Sequence, residues 1–592
     1  MINLLFLHEK LKYIRLLHTY QAKMYPATAD NEERNVTLHF IHTTDVHGNL
    51  FGYDYLKKHH LPGGLDCIAS YVQQMRLSHP GSVVLTDGGD FLQGQPLTYY
   101  FNNIRNDVPH IVAEAMNMMQ YDCAVIGNHD IETGHEVYDR FCNDVEFPVL
   151  GANVLRRGSD DTYFKPYCIL ERCGVRIAIL GMTSCAVPGW QPSKLWSGME
   201  FCEVRKCTRK WVDYIRKNEK PQLIVGVFHS GLEGGVSNDL FEENVSKQVA
   251  AEVEGIDLIL YGHDHATAIL NQTAPNGKKV LMLNPSSLGL RVAVAEVHLK
   301  LIGSNVNEIY IHASLPKMSF FKSQGKGLLE NHFGDKIAEV EEWLKKPLGV
   351  LMDDISEKEA YFGPSAFVDL LHLMQMELTG AQVSFAAPLN YDTFIQSGPF
   401  SVQDAFSLYK FEDFLYCMRM SGKEIRMFLE FSYSRWTNRM ETPDDHIMLL
   451  KNNMDNGKRK GLMHMAYNFD SAAGIYYEVD VTQPEGKKIR VLSMADGKPF
   501  SEEEEYLVAM NSYRGNGGGE LMTLGAGIAQ YELKNRIVSS TEKDLRFYFM
   551  EFIRKKKIIV PLCMHLWKFI PADFTKNALQ RDRILLFGEE KK

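Results

Sequence analysis

Five short polar clusters, each directly following an apolar run, constrain this chain more than any other feature. They are Asp45-Val46-His47 after LHFIHTT, Gly89-Asp90 after VVLTDG, Gly127-Asn128-His129 after CAVI, His229 after LIVGVF, and Gly262-His263-Asp264-His265 after IDLILY. Short apolar runs of this kind read as buried strands of a layered α/β fold. In such folds the loops at the C-terminal ends of neighbouring strands converge on one edge. Polar residues at five such ends therefore face one cleft.

The residue types in that cleft are imidazole, carboxylate and carboxamide, with no thiolate. This set suits Mn²⁺, Fe²⁺, Co²⁺, Ni²⁺ or Zn²⁺. Two such ions about 3.5–4 Å apart clamp a phosphate and activate a water. Because two dications repel, the pair needs a shared anionic ligand, and Asp90 is the expected bridge. Asp45 and His47 alternate along a strand end and so point the same way. With His265 they would serve the first metal, while Asn128, His229 and His263 would serve the second. His129 follows a ligand without being one, which places an imidazole where it stabilises a transferring phosphoryl group or protonates a leaving oxygen. Asp130 and Glu132 are the nearby acids that could orient it.

Length and charge bound the remaining possibilities. A chain of 592 residues implies two or more domains. A net charge of −10 argues against broad binding of a nucleic acid polymer or an anionic membrane. The ten cysteines form no CxxC pair, which excludes a typical structural zinc site. They read as buried thiols, with Cys168–Cys173 and Cys202–Cys207 as alternative bridges in an oxidising compartment. No apolar run reaches the roughly 20 residues that span a bilayer. The first residues mix apolar and basic types, but Glu9, Lys10, Lys12 and Arg15 interrupt any signal-like core. That stretch reads as a poor signal peptide, an amphipathic helix, or residues upstream of a start at Met24.

Composition along the chain predicts five parts: 1–35 outside the fold, 36–315 a catalytic domain, 316–346 an exposed linker helix, 347–560 a second domain, and 561–592 a tail. In the catalytic domain GLDCIASYVQQMRLSHPG, HIVAEAMNMMQYD and FEENVSKQVAAEVEG read as helices. VLMLNPSSLGLRVAVAEVHL reads as two strands paired with each other. Two sheets face to face with helices outside fit this alternation. In the second domain SAFVDLLHLMQMELTG, SGKEIRMFLEFSYSRW and a final KDLRFYFMEFIRKKK read as helices. AQVSFAAPLN, GIYYEVDVTQP and EEYLVAMNSY read as strands.

The five clusters resemble those of the calcineurin-like metallophosphoesterases, and more narrowly the 5′-nucleotidase / 2′,3′-cyclic-nucleotide 2′-phosphodiesterase family. The resemblance covers residues from about 36 to 555. It implies a four-layer α/β/β/α sandwich holding two divalent transition metals, plus a C-terminal α+β nucleotide-binding domain joined by a helix. TTDVHGNLFGYDY, GDFLQGQPLTYY and NSYRGNGGG are similar to the cyclic-phosphodiesterase/3′-nucleotidase branch. Where 5′-nucleotidases carry an Asp that grips the ribose hydroxyls, this chain has Gly519, and SFAAPLNYDTF lacks their phosphate-binding arginines. Both departures fit a phosphate carried on the ribose 2′ and 3′ oxygens. The acid three residues after the catalytic histidine, often Asp in the family, is Glu132 here. The family stacks the base between two aromatics, which the resemblance places at Phe469 and Tyr513. Tyr467 and Tyr477 read as packing residues.

The expected function is therefore hydrolysis of 2′,3′-cyclic nucleotides and 3′-nucleotides to nucleoside and phosphate by a monomer. The alternatives are a 5′-nucleotidase or nucleotide-sugar hydrolase on the same scaffold, and an inactive nucleotide-binding surface protein. The resemblance implies a periplasmic or envelope location, and the absence of a clear signal peptide leaves the cytoplasm open.

Overall fold

The computed structural model describes residues 33–237, 241–321, 327–451 and 461–588. The chain divides into two compact units. One comprises Met1–Pro188 with Pro192–Glu341, and the other Gly189–Gln191 with Glu342–Lys592.

The first unit is built on two six-stranded sheets. Its strands in chain order are β1 (Glu33–Thr43), β2 (Val83–Asp87), β3 (Cys123–Val125), β4 (Val149–Leu150), β5 (Tyr167–Arg172), β6 (Val175–Thr183), β7 (Leu223–His229), β8 (Leu258–Tyr261), β9 (Thr267–Thr273), β10 (Lys279–Pro285), β11 (Ala293–Ile302) and β12 (Asn305–Ser314). One sheet has the order β12-β11-β1-β2-β3-β4, the other β9-β10-β8-β7-β6-β5. Strands β1 to β4 run parallel, as do β6, β7, β8 and β10, with antiparallel strands outside them.

Alternation along each strand sends one set of side chains between the sheets. Leu38 and Phe40 of β1, Val125 of β3, Ile177 and Ile179 of β6, Val225 and Val227 of β7, and Leu299 of β11 belong to this shared core. The opposite face of the second sheet buries Ala178, Leu180, Ile224 and Ile259 with Val212 and Ile215 of the helix Val204–Asn218. The helices Leu65–Ser78, Ile111–Met119 and His135–Asp144 bury apolar faces in the same unit. The result is the layered sandwich that the sequence implied.

Several boundaries differ from expectation. Residues 1–32, part of the segment placed outside the fold, lie outside the described residues. Glu33, Arg34 and Asn35 are instead the start of β1, paired with Ile302, Leu301 and Lys300. β10 and β11 are not partners: β10 closes the second sheet and β11 belongs to the first, so the turn between them crosses the sandwich. In FEENVSKQVAAEVEG only Ser246–Glu252 is helical, and Glu242–Asn244 forms a strand paired with Gly234–Ser237. The helix Gly334–Leu344 is not an exposed linker, because Phe333, Val340, Trp343 and Leu344 are buried. Its Glu339 accepts hydrogen bonds from Tyr100 (2.8 Å) and Arg105 (2.6 Å) within the first unit. All ten cysteines are free thiols, and the thiol partner of Cys168 is Cys123 rather than Cys173.

The second unit centres on a five-stranded sheet in the order Ser471–Ala473, Val383–Ala386, Glu505–Asn511, Leu415–Ser421, Ile537–Ser540. The helices Ala366–Thr379 and Gly422–Trp436 begin at Ser365 and Ser421, whose hydroxyls accept from the N–H three residues on. The segment read as a tail is integral to this unit. Trp567–Ile570 pairs with Ile475–Asp480, and a further helix, Ala572–Phe587, buries Asp582, Leu586 and Phe587. Among the described residues no helix is long and apolar enough to cross a membrane.

Candidate metal centre

Parallel pairing sets the site. Thr43 ends β1 beside Asp87 of β2, Asp87 lies beside Ala124 of β3, and Phe228 of β7 lies beside Tyr261 of β8. The five polar clusters therefore leave their strands at one edge of the sandwich. Among the described residues two groups of side chains there could each hold a metal ion: Asp45 with His47 and His265, and Asp90 with His229 and His263.

In the first group His47 Nε2 is 3.1 Å from His265 Nε2, which is 3.3 Å from Asp45 Oδ1. Asp45 Oδ2 accepts from Thr44 Oγ1 (2.6 Å) and from the His263 N–H (2.9 Å). Its other oxygen, Oδ1, is buried and faces the His265 ring. Burial works to raise the Asp45 carboxyl, yet the hydrogen bond from His265 and the charge of His229 hold it at about 2.

In the second group His229 Nδ1 lies 2.7 Å from the Gly88 carbonyl, so its N–H donates there. Nε2 then faces two acceptors, Asn128 Oδ1 at 2.9 Å and Asp90 Oδ2 at 3.2 Å. A neutral ring has no second proton for them, so either a protonated ring or a bound metal ion satisfies the arrangement. Burial would lower this imidazole, but Asp90 raises it to about 9. Asp90 belongs to the second group, and its Oδ2 also lies 4.0 Å from His47 Nε2 of the first. A buried carboxylate beside imidazoles, a histidine aimed at two acceptors and a second buried carboxylate near histidines of both groups together fit divalent cations.

The backbone is shaped for this convergence. Asp45, His47, Asp90, His263 and His265 all have positive φ, between 48° and 80°, an unusual region for residues with side chains. Such strain gathers where function requires a particular side-chain direction. Two glycines make room. A Cβ on Gly127 would lie 2.1 Å from Asp90 Oδ1, and one on Gly262 would lie 1.9 Å from Thr44 Oγ1.

His129 is the second residue of the short helix Asn128–Glu132, and its N–H donates to Asp90 Oδ1 at 2.8 Å. Its Nδ1 meets Glu132 Oε2 at 2.5 Å. Burial opposes protonation of this ring, but the charges of Glu132 and Asp90 raise it to about 10. With 37% of the side chain exposed, solvent moderates that shift. Asp130 has another task. It is fully buried and accepts from the N–H groups of Asp90, Phe91, Leu92 and Gly127, each at 2.8 Å. Asp264 is a second brace, accepting from Leu232 N (2.8 Å) and Asn284 Nδ2 (2.6 Å). Nothing in the sequence distinguished these bracing carboxylates from ligands except the motifs around them.

Residues 38–267 match the calcineurin-like phosphoesterase family, and residues 341–526 match the 5′-nucleotidase C-terminal domain. The chain thus carries a calcineurin-like phosphoesterase domain followed by a 5′-nucleotidase C-terminal domain. It is a metal-dependent phosphoesterase. It is 24% identical over 597 residues to the trifunctional nucleotide phosphoesterase protein YfkN of Bacillus subtilis; the match takes in 91% of this chain but 39% of that protein. It is 25% identical to the 2′,3′-cyclic-nucleotide 2′-phosphodiesterase/3′-nucleotidase of Yersinia enterocolitica, over 83% of this chain and 82% of that protein. The 5′-nucleotidase precursor of Thermus thermophilus shares the fold, with a TM-score of 0.57 at 20% identity over 90% of this chain and 99% of that one.

Within the 5′-nucleotidase C-terminal domain, one expected base-stacking residue is corrected. Phe469 has no exposed surface and stacks on Trp436, with ring centroids 5.5 Å apart and planes 4° from parallel. It is a core residue and offers no face to a ligand. The aromatic that meets Tyr513 is Tyr467, read above as packing, at 6.3 Å and near a right angle. Phe411 stands 6.1 Å from Tyr467. All three rings are partly exposed. Arg514, buried, joins their loops by donating to the Tyr467 carbonyl (2.8 Å), the Gly518 carbonyl (2.5 Å) and Asp470 Oδ2 (2.7 Å). Gly519 has φ 69°, and a Cβ there would lie 2.3 Å from Asn468 Oδ1, so no side chain fits that position.

Proposed function

We propose that this chain hydrolyses 2′,3′-cyclic nucleotides to 3′-nucleotides and these to nucleoside and phosphate, with Asp45, His47 and His265 holding one divalent transition metal and Asn128, His229 and His263 a second, Asp90 being shared. The observation that carries the reading is Asp90, a buried carboxylate of the His229–His263 group whose Oδ2 also lies 4.0 Å from His47 Nε2 of the other group. When bound, the metal pair supplies the positive charge that polarises a phosphoryl group and lowers the pKa of water.

The chain's own residues supply the rest. His129 stands against Asp90 through its backbone N–H and is held by Glu132. With Nδ1 engaged, Nε2 is the nitrogen left to donate to a phosphoryl oxygen or to the departing ribose oxygen. In the second domain, Tyr513 with Tyr467 offers aromatic faces for a base. Stacking of this kind tolerates different bases, because each has a π-face. Gly519 leaves no carboxylate to grip ribose hydroxyls, which suits ribose whose 2′ and 3′ oxygens carry phosphate. The names of the Bacillus and Yersinia relatives agree with this substrate class.

The test is a kinetic panel of 2′,3′-cyclic AMP, 3′-AMP, 5′-AMP and UDP-glucose with metal-loaded protein. The first two should be the preferred substrates by kcat/KM. Preference for 5′-AMP or UDP-glucose would replace this reading with that of a 5′-nucleotidase or nucleotide-sugar hydrolase.

A further inference from the structure

The second metal group contains a histidine whose orientation is set by a residue outside the five clusters. His263 Nε2 lies 2.9 Å from Glu243 Oε1, and the two side chains are 10% and 17% exposed. Glu243 lies in the strand Glu242–Asn244, which runs antiparallel to Gly234–Ser237. This strand is tied to the loop that follows His229. Ser230 Oγ donates to the Glu243 carbonyl (3.1 Å) and accepts from Val245 N (3.1 Å). Gly231 N donates to Asn244 Oδ1 (2.7 Å), and Ser184 Oγ also donates to the Glu243 carbonyl (3.2 Å). The facing strand is shaped around the same carboxylate: Gly235 has φ 77°, and a Cβ on it would lie 2.5 Å from Glu243 Oε2. The segment that carries Glu243 is thus anchored on the residues next to His229, another member of the same group.

We infer that Glu243 is a positioning residue for the second metal. Its carboxylate accepts the Nε2–H of His263 and fixes that tautomer and ring plane, so that the lone pair this imidazole would offer an ion is on Nδ1. This rests on the two-metal reading above. The imidazole carries only two nitrogens, and the one facing Glu243 is held by an acceptor. A carboxylate on the outer nitrogen of a ligating histidine also raises the basicity of the inner one.

The experiment is metal titration of the full-length chain after chelator stripping, with Mn²⁺ as the probe and calorimetry as the readout. Wild type should bind two equivalents. Glu243→Ala should weaken one of them roughly 10- to 100-fold and leave the other unchanged, the usual effect of losing an outer-shell carboxylate. Glu243→Gln, whose amide oxygen still accepts from Nε2–H, should fall between the two. In a His263→Ala background, Glu243→Ala should cause no further loss. Fewer than two equivalents in wild type would overturn the two-metal reading and this inference with it. Two equivalents in wild type with unchanged binding in Glu243→Ala would overturn the role of Glu243 alone. Equal weakening of both equivalents, or additive loss in the His263→Ala background, would show that Glu243 acts on the local fold rather than through His263.

Discussion

His129 Nδ1 and Glu132 Oε2 lie 2.5 Å apart across one helical turn, while Asp130 between them turns inward onto four backbone N–H groups. Two acids close to His129 in sequence thus have separate work. Spacing explains the division: residues three apart share a helix face, and adjacent residues do not. Glu132 orients the imidazole and Asp130 holds the loops that carry Asp90 and Asn128.

His129→Ala should keep both metals and lose about 10²–10⁴-fold in kcat, the range for a lost acid or charge-stabilising group. Glu132→Ala should lose less, and Glu132→Gln less again. Asp130→Ala should instead lower the melting temperature, since each buried N–H left without an acceptor costs about 1–3 kcal/mol. Kinetics, metal content and thermal melts on the same preparations check this set. Loss of a metal in His129→Ala would make His129 a ligand.

Chelation with EDTA should abolish phosphoesterase activity, and Mn²⁺ or Co²⁺ should restore it. The buried carboxylates of Asp45 and Asp90 and the His229 ring facing two acceptors also predict a stability effect. The metal-free chain should melt at a lower temperature, because a ligand bound only to the native state stabilises it. Asp90→Asn should abolish turnover with the fold intact, measured by assay and circular dichroism. Full activity of Asp90→Asn with two bound ions would remove its role as the shared carboxylate.

The five polar clusters were legible because each needs a strand before it, and apolar runs announce strands. Their convergence followed from the geometry of a parallel sheet. Other features were hidden for physical reasons. Glu243 sits in a run whose composition suits a helix, and only pairing with Gly234–Ser237 makes it a strand. Phe469 and Tyr467 are two residues apart, and sequence alone does not say which is enclosed; Trp436, more than 30 residues earlier, decides it. Trp567–Ile570 reads as an isolated short run, and gains its place only through Ile475–Asp480.

A pH effect on stability arises at Asp369, in the first turn of the helix Ala366–Thr379. Burial raises its carboxyl from 3.8 to about 6, against the Met564 N–H at 2.7 Å, the Cys563 thiol and the charge of His565. A folded-state value above the unfolded one means the fold favours the protonated form. That contribution is present below about pH 4 and is lost as pH rises through about 6. Asp369→Asn mimics the protonated group and retains an acceptor for Met564. It should match wild type near pH 4 and be more stable at pH 7.5, by at most about 3 kcal/mol. Denaturant melts at the two pH values check this, and a variant less stable than wild type at pH 7.5 would reverse the sign.

The last prediction separates the three aromatics of the second domain. Tyr513→Ala and Tyr467→Ala should each raise KM for 2′,3′-cyclic AMP by roughly one to two powers of ten, from about 1–3 kcal/mol of lost stacking. Hydrolysis of bis(p-nitrophenyl) phosphate, which carries no nucleobase, should change little, and the melting temperature should hold. Phe469→Ala should behave differently. It removes a fully buried ring stacked on Trp436, and should cost about 3–5 kcal/mol of stability. Phe469→Leu, which refills most of the space, should recover much of the stability and leave KM near wild type. If Phe469→Leu instead raised KM for the nucleotide alone, with an unchanged melt, the buried ring would have to open to the base. If Tyr513→Ala impaired both substrates equally, Tyr513 would be supporting the fold and not the base.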